Sequence, residues 1–483
     1  MKFKISKAYI ILISVLTLIA IVLSVSGCAN GQTSSDISGA TVSEAAASEA
    51  TTALASGASK THLAENDITV NETLNNTENG GHAITADGES ANYSNVLVTK
   101  SGDSEGDEAD FYGDNSAVFA TNKGTLDLKN IVVKTDGAHA NAVFSYGEGT
   151  TVNIADSYIN TTGNCSGGLM TTGGGTMNAS NLTIETSGNS SAAIRSDRGG
   201  GTVNVNGGYY STSGKGSPVI YSTADITVSD AEMVSTASQG VVVEGKNSVT
   251  LNNVDLTADN NTKNSDKSSY YQAVMIYQSM SGDAAQGLSS FAMNGGSLVN
   301  KNGDVFFVNN TATQISLNNA SITNEGDGVF LRAAAAGWGK EGSNGGQVTL
   351  NAANQTINGD MIVDSVSSLN LYLKSSSSFT GAINSDGAQG DVYVEIEKGS
   401  KWTLTADSYV SSLTCEADSI DLNGHKLYVN GKEYTAGSAS KGTAIEIKTT
   451  SNDSGKSGGQ EPPQGEAPPD GGKPDGEPPA KPD

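Results

Sequence analysis

The three arginines of this chain mark the residues best suited to hold a charged or hydroxyl-rich ligand. Arg195, Arg198 and Arg332 stand beside 24 lysines. A guanidinium group is planar and presents several N–H donors in a fixed fork, which suits carboxylates and neighbouring hydroxyls. Aromatic rings offer a flat face for a sugar ring. These residue types predict a ligand-binding set made of Arg195, Tyr221, Glu244, Tyr277, Arg332, Trp338 and Asp364.

Several members of this set occupy one position in a recurring segment. Arg195, Tyr221 and Glu244 each follow an apolar tripeptide, and the tripeptides begin at 192, 218 and 241. If the third tripeptide residue points inward in a strand, the next one points outward, with neighbouring strands about 4.8 Å apart. This predicts a ladder of these three residues, and a second pair of Arg332 with Asp364. The alternative is that Arg195 and Glu244 only bridge coils at the surface.

An acidic segment at 101–114, SGDSEGDEADFYGD, has the spacing of a cation-binding loop. Its oxygen ligands alternate at the start, as in Ca²⁺ loops, although the glycine and distal glutamate of an EF-hand are not in place. We predict a calcium site with Ca²⁺ as cofactor. Its ligands are Asp103, Glu105, Asp107 and Asp110. The alternative is an exposed acidic insertion without a metal.

Two further motifs raise the question of catalysis. IRSDRGGG at 194–201 places Arg195, Asp197 and Arg198 on a single turn. GNCSG at 163–167 is similar to a nucleophile elbow with Cys165 at its centre. It is expected at a corner between coils, however, and none of the histidines recurs as its partner: His62, His82, His139 and His425. The sequence therefore predicts a structural role for Cys165 and no catalytic residue.

All these candidates belong to a repeat that runs from 117 to about 431. The apolar tripeptide opens each copy, and the copies follow at intervals near 24 residues that lengthen to 32 where about eight residues are inserted. A drifting period of this size is typical of a solenoid, whose loops grow without disturbing the stacked strands. The tripeptides begin at 117, 142, 168, 192, 218, 241, 273, 305, 329, 361 and 382.

A second strand in each copy has apolar residues at alternate positions, as in Val249 and Leu251. Period two places these side chains on one face of a sheet, pointing into the coil, and Leu317 is expected there too. Two residues later comes a residue type that tolerates a left-handed backbone and so suits a corner. The corner residues are Asn130, Asp156, Asn181, Gly207, Asp230, Asn253, Gly295 and Asn319. The sequence predicts an all-β fold, a parallel β-helix of about 11–13 coils that ends in a hairpin turning at Asn430-Gly431.

In this form the chain resembles right-handed parallel β-helix proteins of the pectate-lyase-like type, including clostridial surface carbohydrate-binding proteins. The resemblance covers most of residues 66–431 and rests on the repeat pattern. It implies a right-handed coil and the possibility of lyase chemistry, in which acidic Ca²⁺ ligands act with an arginine or lysine base. The RxPxxR motif of pectate lyases and the NTD, DD and GHG motifs of β-helical polygalacturonases are absent from the sequence.

Composition divides the chain into four segments. In residues 1–28 three lysines precede an apolar run that ends in VSGC, which resembles the lipobox of bacterial lipoproteins and implies lipidation of Cys28. The alternative is an uncleaved membrane anchor. Residues 29–61 are expected to form a flexible Ser/Ala/Thr tether, 62–448 the β-helix with its C-terminal cap, and 449–483 a disordered tail rich in proline, glycine and acids.

The charge balance narrows the choice of partners. With 52 acidic and 27 basic residues the formal net charge is −25, which disfavours nucleic acid and anionic membrane surfaces. The sequence therefore predicts an adhesin-like lipoprotein on the extracellular face of a bacterial membrane, attached only through its N-terminal lipid. It is expected to bind a polysaccharide or another host or cell-surface ligand without turning it over. The alternatives are a Ca²⁺-dependent lyase acting on an acidic glycan, and a structural surface stalk.

Overall fold

The computed structural model describes residue 60 and residues 62–448, except 264 and 266. Over this range the chain winds into coils, and equivalent strands of successive coils pair side by side in parallel. The expected all-β parallel β-helix is confirmed. The predicted signal peptide at 1–28, most of the predicted tether and the predicted tail at 449–483 lie outside the described residues.

Face 1 is a sheet of eleven strands that corresponds to the apolar tripeptides. Hydrogen bonding from coil to coil pairs their backbones without interruption along the sheet, apart from one register shift between Val329 and Leu331. The strands are Ile84–Asp87, Val118–Thr121, Val143–Tyr146, Leu169–Thr172, Ile194–Ser196, Ile220–Ser222, Val241–Glu244, Gln272–Tyr277, Asp304–Asn309, Val329–Ala333 and Asp360–Val363.

Face 2 contains the second strand of each coil and is the longest ladder. Thirteen strands belong to it in the described part of the chain, in agreement with the coil number expected from the repeat. They are Ser90–Ser94, Thr125–Lys129, Thr151–Ala155, Gly175–Thr186, Gly201–Thr212, Asp225–Ser229, Ser248–Asn252, Leu288–Asn294, Thr311–Asn318, Gly346–Ala353, Ser368–Lys374, Asp391–Ile396 and Ser412–Cys415.

Face 3 follows face 2 around a corner, and the two long strands Gly175–Thr186 and Gly201–Thr212 belong to both. Its other strands are Glu72–Asn76, Val96–Lys100, Val132–Thr135, Tyr158–Thr161, Glu232–Ser235, Asp255–Ala258, Ser297–Asn300 and Ser321–Asn324. A four-stranded sheet serves the last coils, with Thr356–Asn358, Ser378–Thr380, Lys401–Thr403 and Ile420–Asp421. The end contains Ser408–Val410 and the hairpin Leu427–Val429 with Lys432–Glu433, which turns at Asn430-Gly431 as predicted.

The core and the corners follow the sequence pattern closely. Leu251 is 0% exposed and Leu317 is 1% exposed, so the alternate apolar residues of face 2 do fill the coil. At the corner between faces 2 and 3, the six Asn and Asp residues named above have φ between 50° and 54°, and Gly207 and Gly295 also have positive φ. Successive corners are tied together, since the Asn181 amide donates to the Asp156 carboxylate at 2.8 Å.

On face 1, the residue of the tripeptide that points inward is not always the third one, as had been expected. The inward anchors are Val118, Val143, Leu169, Ile194, Ile220 and Val241, which are the first, second or third residues of their tripeptides. A shift of one residue in a strand sends a side chain to the opposite face. The position after the tripeptide therefore points inward in Ala120, Ser145 and Thr171, but outward in Arg195 and Tyr221.

The outward side of face 1 is covered by the chain's own insertions. Phe119, Phe144 and Met170 form one buried cluster there, beside the short helix Asp107–Tyr112. Val242, Met275, Tyr277, Phe307 and Ala334 form a second, flanked by Tyr270 and Trp338 from neighbouring loops. The apolar side chains on the outward side of face 1 are thus buried by loops of the same chain.

Candidate functional site

The predicted ladder on face 1 is partly confirmed and partly shifted. Arg195 does pair with Tyr221 on the next strand, but Tyr221 pairs with Val242, and Glu244 pairs with Tyr277. The reason is that the inward anchor of the VVV tripeptide at 241–243 is its first residue and not its third. Glu244 lies two residues beyond Val242 and so still points outward.

Tyr221, Glu244 and Tyr277 nevertheless meet, because the long side chains reach across the shifted register. Both phenol groups donate hydrogen bonds to Glu244 Oε2, the one from Tyr277 at 3.0 Å. The Trp338 ring packs edge-on against Tyr277, with the ring centroids 5.1 Å apart. Glu244 is only 1% exposed, and burial raises its pKa against the effect of its hydrogen bonds. Three predicted ligand residues are therefore hydrogen-bonded to one another, and a fourth, Trp338, packs against them.

Arg195 and Arg198 are each paired with acids of the same chain. The Arg195 Nη2 atom lies 2.8 Å from Asp197 Oδ2, and both side chains are largely buried. Arg198 bonds Asp283 at 2.9 Å and Asp107 at 3.3 Å, and its guanidinium lies 3.8 Å from the centre of the Phe111 ring. Arg198 thus ties the short helix and the 278–287 loop to the coil.

The predicted pair of Arg332 with Asp364 is wrong. Arg332 pairs in the sheet with Ile362, and its guanidinium binds both oxygens of Asp304, at 2.7 and 3.0 Å. Asp304 is buried, which raises its pKa to about 6 although Arg332 acts in the opposite direction. Asp364 instead accepts hydrogen bonds from the Ala335 N–H and the Ser367 hydroxyl.

The acidic segment folds in part as the helix Asp107–Tyr112. Asp103 accepts a hydrogen bond from the Ala138 N–H at 2.8 Å, Asp107 contacts Arg198, Glu105 is exposed, and Asp110 binds His139. Across the described residues, no group of three or more His, Cys, Asp or Glu side chains is placed to hold a metal ion. Three of the four predicted ligands thus have partners within the protein, and calcium binding stays a prediction.

An open groove lies on face 2, where the sequence predicts no ligand-binding residue. It has a volume of about 670 Å³ and extends over six successive strands, from Ser90–Ser94 to Asp225–Ser229. Its lining includes the outward residues Asp127, Asn153, Asn178 and Asn204. These four positions could have been found from the sequence, because each lies between two inward-pointing residues in the second strand of its coil.

These four residues form a hydrogen-bonded amide ladder. The Asn153 amide donates to Asp127 at 2.8 Å, Asn178 donates to Asn153 at 2.9 Å, and Asn204 donates to Asn178 at 3.0 Å. An amide carries two N–H donors and two acceptor lone pairs. Each interior amide therefore retains one donor and one acceptor for a ligand, repeated once per coil at about 4.8 Å.

Elsewhere on face 2, outward polar side chains hold an extended piece of the chain itself. Asn370 donates to the Ile445 carbonyl at 2.8 Å and accepts from its N–H at 2.9 Å. Ser412 and Thr414 accept hydrogen bonds from the Thr443 and Gly442 N–H groups. Hydrogen-bonding side chains of this face can thus bind a polymer that lies across successive coils.

No family model, curated protein or solved structure matches this sequence. Within the described part of the chain, no helix is both long enough and apolar enough to cross a membrane.

Proposed function

We propose that this protein is a non-catalytic surface binder of an extended, hydroxyl-rich glycan, held in the groove on face 2. The amide ladder of Asp127, Asn153, Asn178 and Asn204 carries this proposal. Sugar hydroxyls both donate and accept, and the free donor and acceptor of each amide match that requirement. A linear polymer would meet the same amide group on three successive coils, at Asn153, Asn178 and Asn204.

The groove is a better candidate than face 1 for two reasons. The predicted face 1 residues bind one another and are covered by loops, as the Tyr221–Glu244–Tyr277 cluster demonstrates. The four ladder residues are instead half-buried or exposed along one open surface. A ligand on face 1 would have to displace the insertions, whereas a ligand on face 2 displaces only water.

An extended polypeptide is the second candidate ligand. The observation that favours it is the double hydrogen bond between the Asn370 amide and the backbone of Ile445. Face 2 binds its own chain in this way near the C-terminal coils. We prefer a glycan for the groove because each interior ladder amide already forms hydrogen bonds with its two neighbours in the ladder. It has one donor and one acceptor left for a ligand, and a sugar hydroxyl can satisfy both.

In this proposal the β-helix lies on the extracellular side of the membrane. It is attached through a lipid on Cys28, a residue that is not among those the structure describes. The repeat pattern supports a place among pectate-lyase-like and clostridial carbohydrate-binding β-helices. Within the proposal the groove binds its polymer without cleaving it. A Ca²⁺-dependent lyase and a passive stalk are the competing functions.

An array of polysaccharides and extended peptides, probed with the full mature chain with and without EDTA, tests this function. We expect binding to one class of neutral glycan, unchanged by EDTA. Absorbance of unsaturated uronate ends, measured on acidic glycans with calcium present, separates binding from lyase activity. Release of such ends would contradict the proposal, as would the lack of any bound glycan; binding of peptides alone would favour the second candidate.

A further inference from the structure

An exposed tyrosine lies near the C-terminal end of the β-helix, on a surface that continues face 1. Met361 of the last face 1 strand pairs with Ile383, and the Tyr409 N–H donates to the Ile383 carbonyl at 2.9 Å. Ser408–Val410 then pairs in parallel with Leu427–Val429. Tyr409 is 43% exposed, so the insertions that bury the outward side of face 1 do not cover it.

One face of the Tyr409 ring is covered, and the other is open. The Tyr428 ring, on the next strand, stacks on Tyr409 with the centroids 5.0 Å apart and an angle of 6° between the ring planes. Side chains at equivalent positions of neighbouring strands lie side by side. The second face of Tyr409 is therefore turned toward the preceding coil, where Asn384 and residues 387–390 line a pocket together with Tyr409.

The size and charge of this pocket restrict its ligand. Its volume is about 310 Å³, and the ten described residues that line it are all uncharged. The volume is at the lower end of the range for small-molecule sites. The lining offers a counter-charge to neither an anion nor a cation, and the net charge of −25 disfavours an anion further. The pocket thus suits a small uncharged ligand.

Three amide side chains line the same pocket, those of Asn384, Gln389 and Asn430. Gln389 and Asn430 are exposed, and neither side chain forms a hydrogen bond within the described part of the chain. Asn384 is buried, and its Oδ1 atom accepts a hydrogen bond from the Val363 N–H at 2.8 Å. Because an amide offers both donors and acceptors, hydroxyl groups are the matching groups on a ligand.

We propose that this pocket is a second ligand site, separate from the groove on face 2, and that it binds one uncharged pyranose sugar ring. The apolar C–H face of the sugar stacks on the open face of Tyr409. The hydroxyls around the ring form hydrogen bonds with the amides of Gln389 and Asn430. One aromatic ring flanked by amides fits a single sugar residue, whereas the groove fits a polymer that extends over several coils.

Saturation-transfer difference NMR on the full mature chain tests the ligand class. The probes are the methyl pyranosides of glucose, galactose, mannose and N-acetylglucosamine, with methyl glucuronide and choline as charged comparisons. We expect at least one neutral sugar to bind, and neither charged probe to bind as well. Lack of binding by every neutral sugar would overturn the proposal, and so would preferential binding of the glucuronide or choline.

Variants of Tyr409 locate the bound sugar. Tyr409→Ala should raise the Kd of the best-binding sugar about tenfold, because the stacking face is lost. Tyr409→Phe keeps the ring and should bind like the wild type. Tyr112→Ala is the matched control, since Tyr112 is 39% exposed and lies outside the pocket. Equal affinity in the wild type and in Tyr409→Ala would overturn the proposal.

Variants of the amides keep the test independent of the Tyr409 substitution. Gln389→Ala changes an exposed side chain without hydrogen-bond partners among the described residues, so the fold does not depend on it. Asn430→Gly removes the other amide and retains a residue suited to the φ of 48° at this turn. Each should weaken binding about threefold, the effect of one hydrogen bond. Unchanged affinity in both would contradict the assigned contacts.

The groove variant separates this pocket from the glycan groove. Asn153→Ala with Asn178→Ala should leave the affinity for the single sugar unchanged. Loss of that affinity would place the sugar in the groove and overturn the proposal. A trisaccharide that ends in the bound sugar distinguishes two sources of the ring: equal affinity supports a free sugar as the ligand, and tighter binding supports the end of a glycan chain.

Discussion

Arg332 lies over face 1 as the partner of a buried acid, and its loss should be costly. Arg332→Ala leaves Asp304, 0% exposed, without a counter-charge. Breaking a buried ion pair costs about 3–5 kcal/mol. Lys301→Ala is the control, and should cost about 1 kcal/mol or less because its pair with Glu325 is exposed. Chemical denaturation measures both, and equal losses would show that Arg332 is not structural.

The contact between His139 and Asp110 should make stability depend on pH. A raised histidine pKa adds stability that is complete below the unfolded value of 6.5 and is lost as pH rises through about 10. Between pH 6.5 and 10 the wild type should lose on the order of 1–2 °C more in melting temperature than His139→Asn, after allowance for solvent screening. Parallel melting curves of the two proteins over that range would contradict the assigned pair.

Single residues were the hardest scale to predict from the sequence. In face 1 every tripeptide residue is apolar, so the sequence does not reveal which one is the inward anchor. An error of two residues in the register then assigned Glu244 and Asp364 to the wrong neighbours. The contact of His139 with Asp110 could not be predicted from the repeat, because Asp110 comes from an insertion.

At the scale of the strand and its corner, sequence and structure agree far better. The corner residues can be recognised from their residue types, because few types adopt positive φ. Each of the eight predicted corner positions has a positive φ. Face 2 is also unambiguous, because its apolar residues strictly alternate with polar ones. The insertions that cover face 1 carry no period, so their packing could not be inferred from the repeat.

Asn181 tests the role of the corner. Asn181→Ala places a residue with a strong bias against φ of 54° at this position and removes the hydrogen bond to Asp156. We expect a loss of about 1–2 kcal/mol in stability. Asn181→Gly should lose less, because glycine adopts this backbone freely. Thermal or urea unfolding compares the two, and an equal loss would mean that backbone conformation does not limit the corner.

At the scale of the molecule, the described residues form a continuous stack of coils, which the repeat period predicts before any single contact is known. Its attachment to the cell remains a sequence-based proposal. Cys28→Ala should shift the protein from the membrane fraction to the medium, or leave an unprocessed precursor, because one thiol carries the lipid. Fractionation and labelling with radioactive palmitate check this. A variant that is still processed and labelled would rule out the lipobox interpretation.

The amide ladder on face 2 is the central claim, and a change of affinity tests it most directly. The measurement is the Kd of the tightest glycan from the array, by calorimetry, for wild type and for Asn153→Ala with Asn178→Ala. We expect at least a tenfold weakening, about 1.4 kcal/mol. The control pair, Thr250→Ala with Ser316→Ala, lies in the same outward row beyond the groove and should bind like the wild type. Unchanged affinity in the amide variant, or equal weakening in the control, would contradict the account.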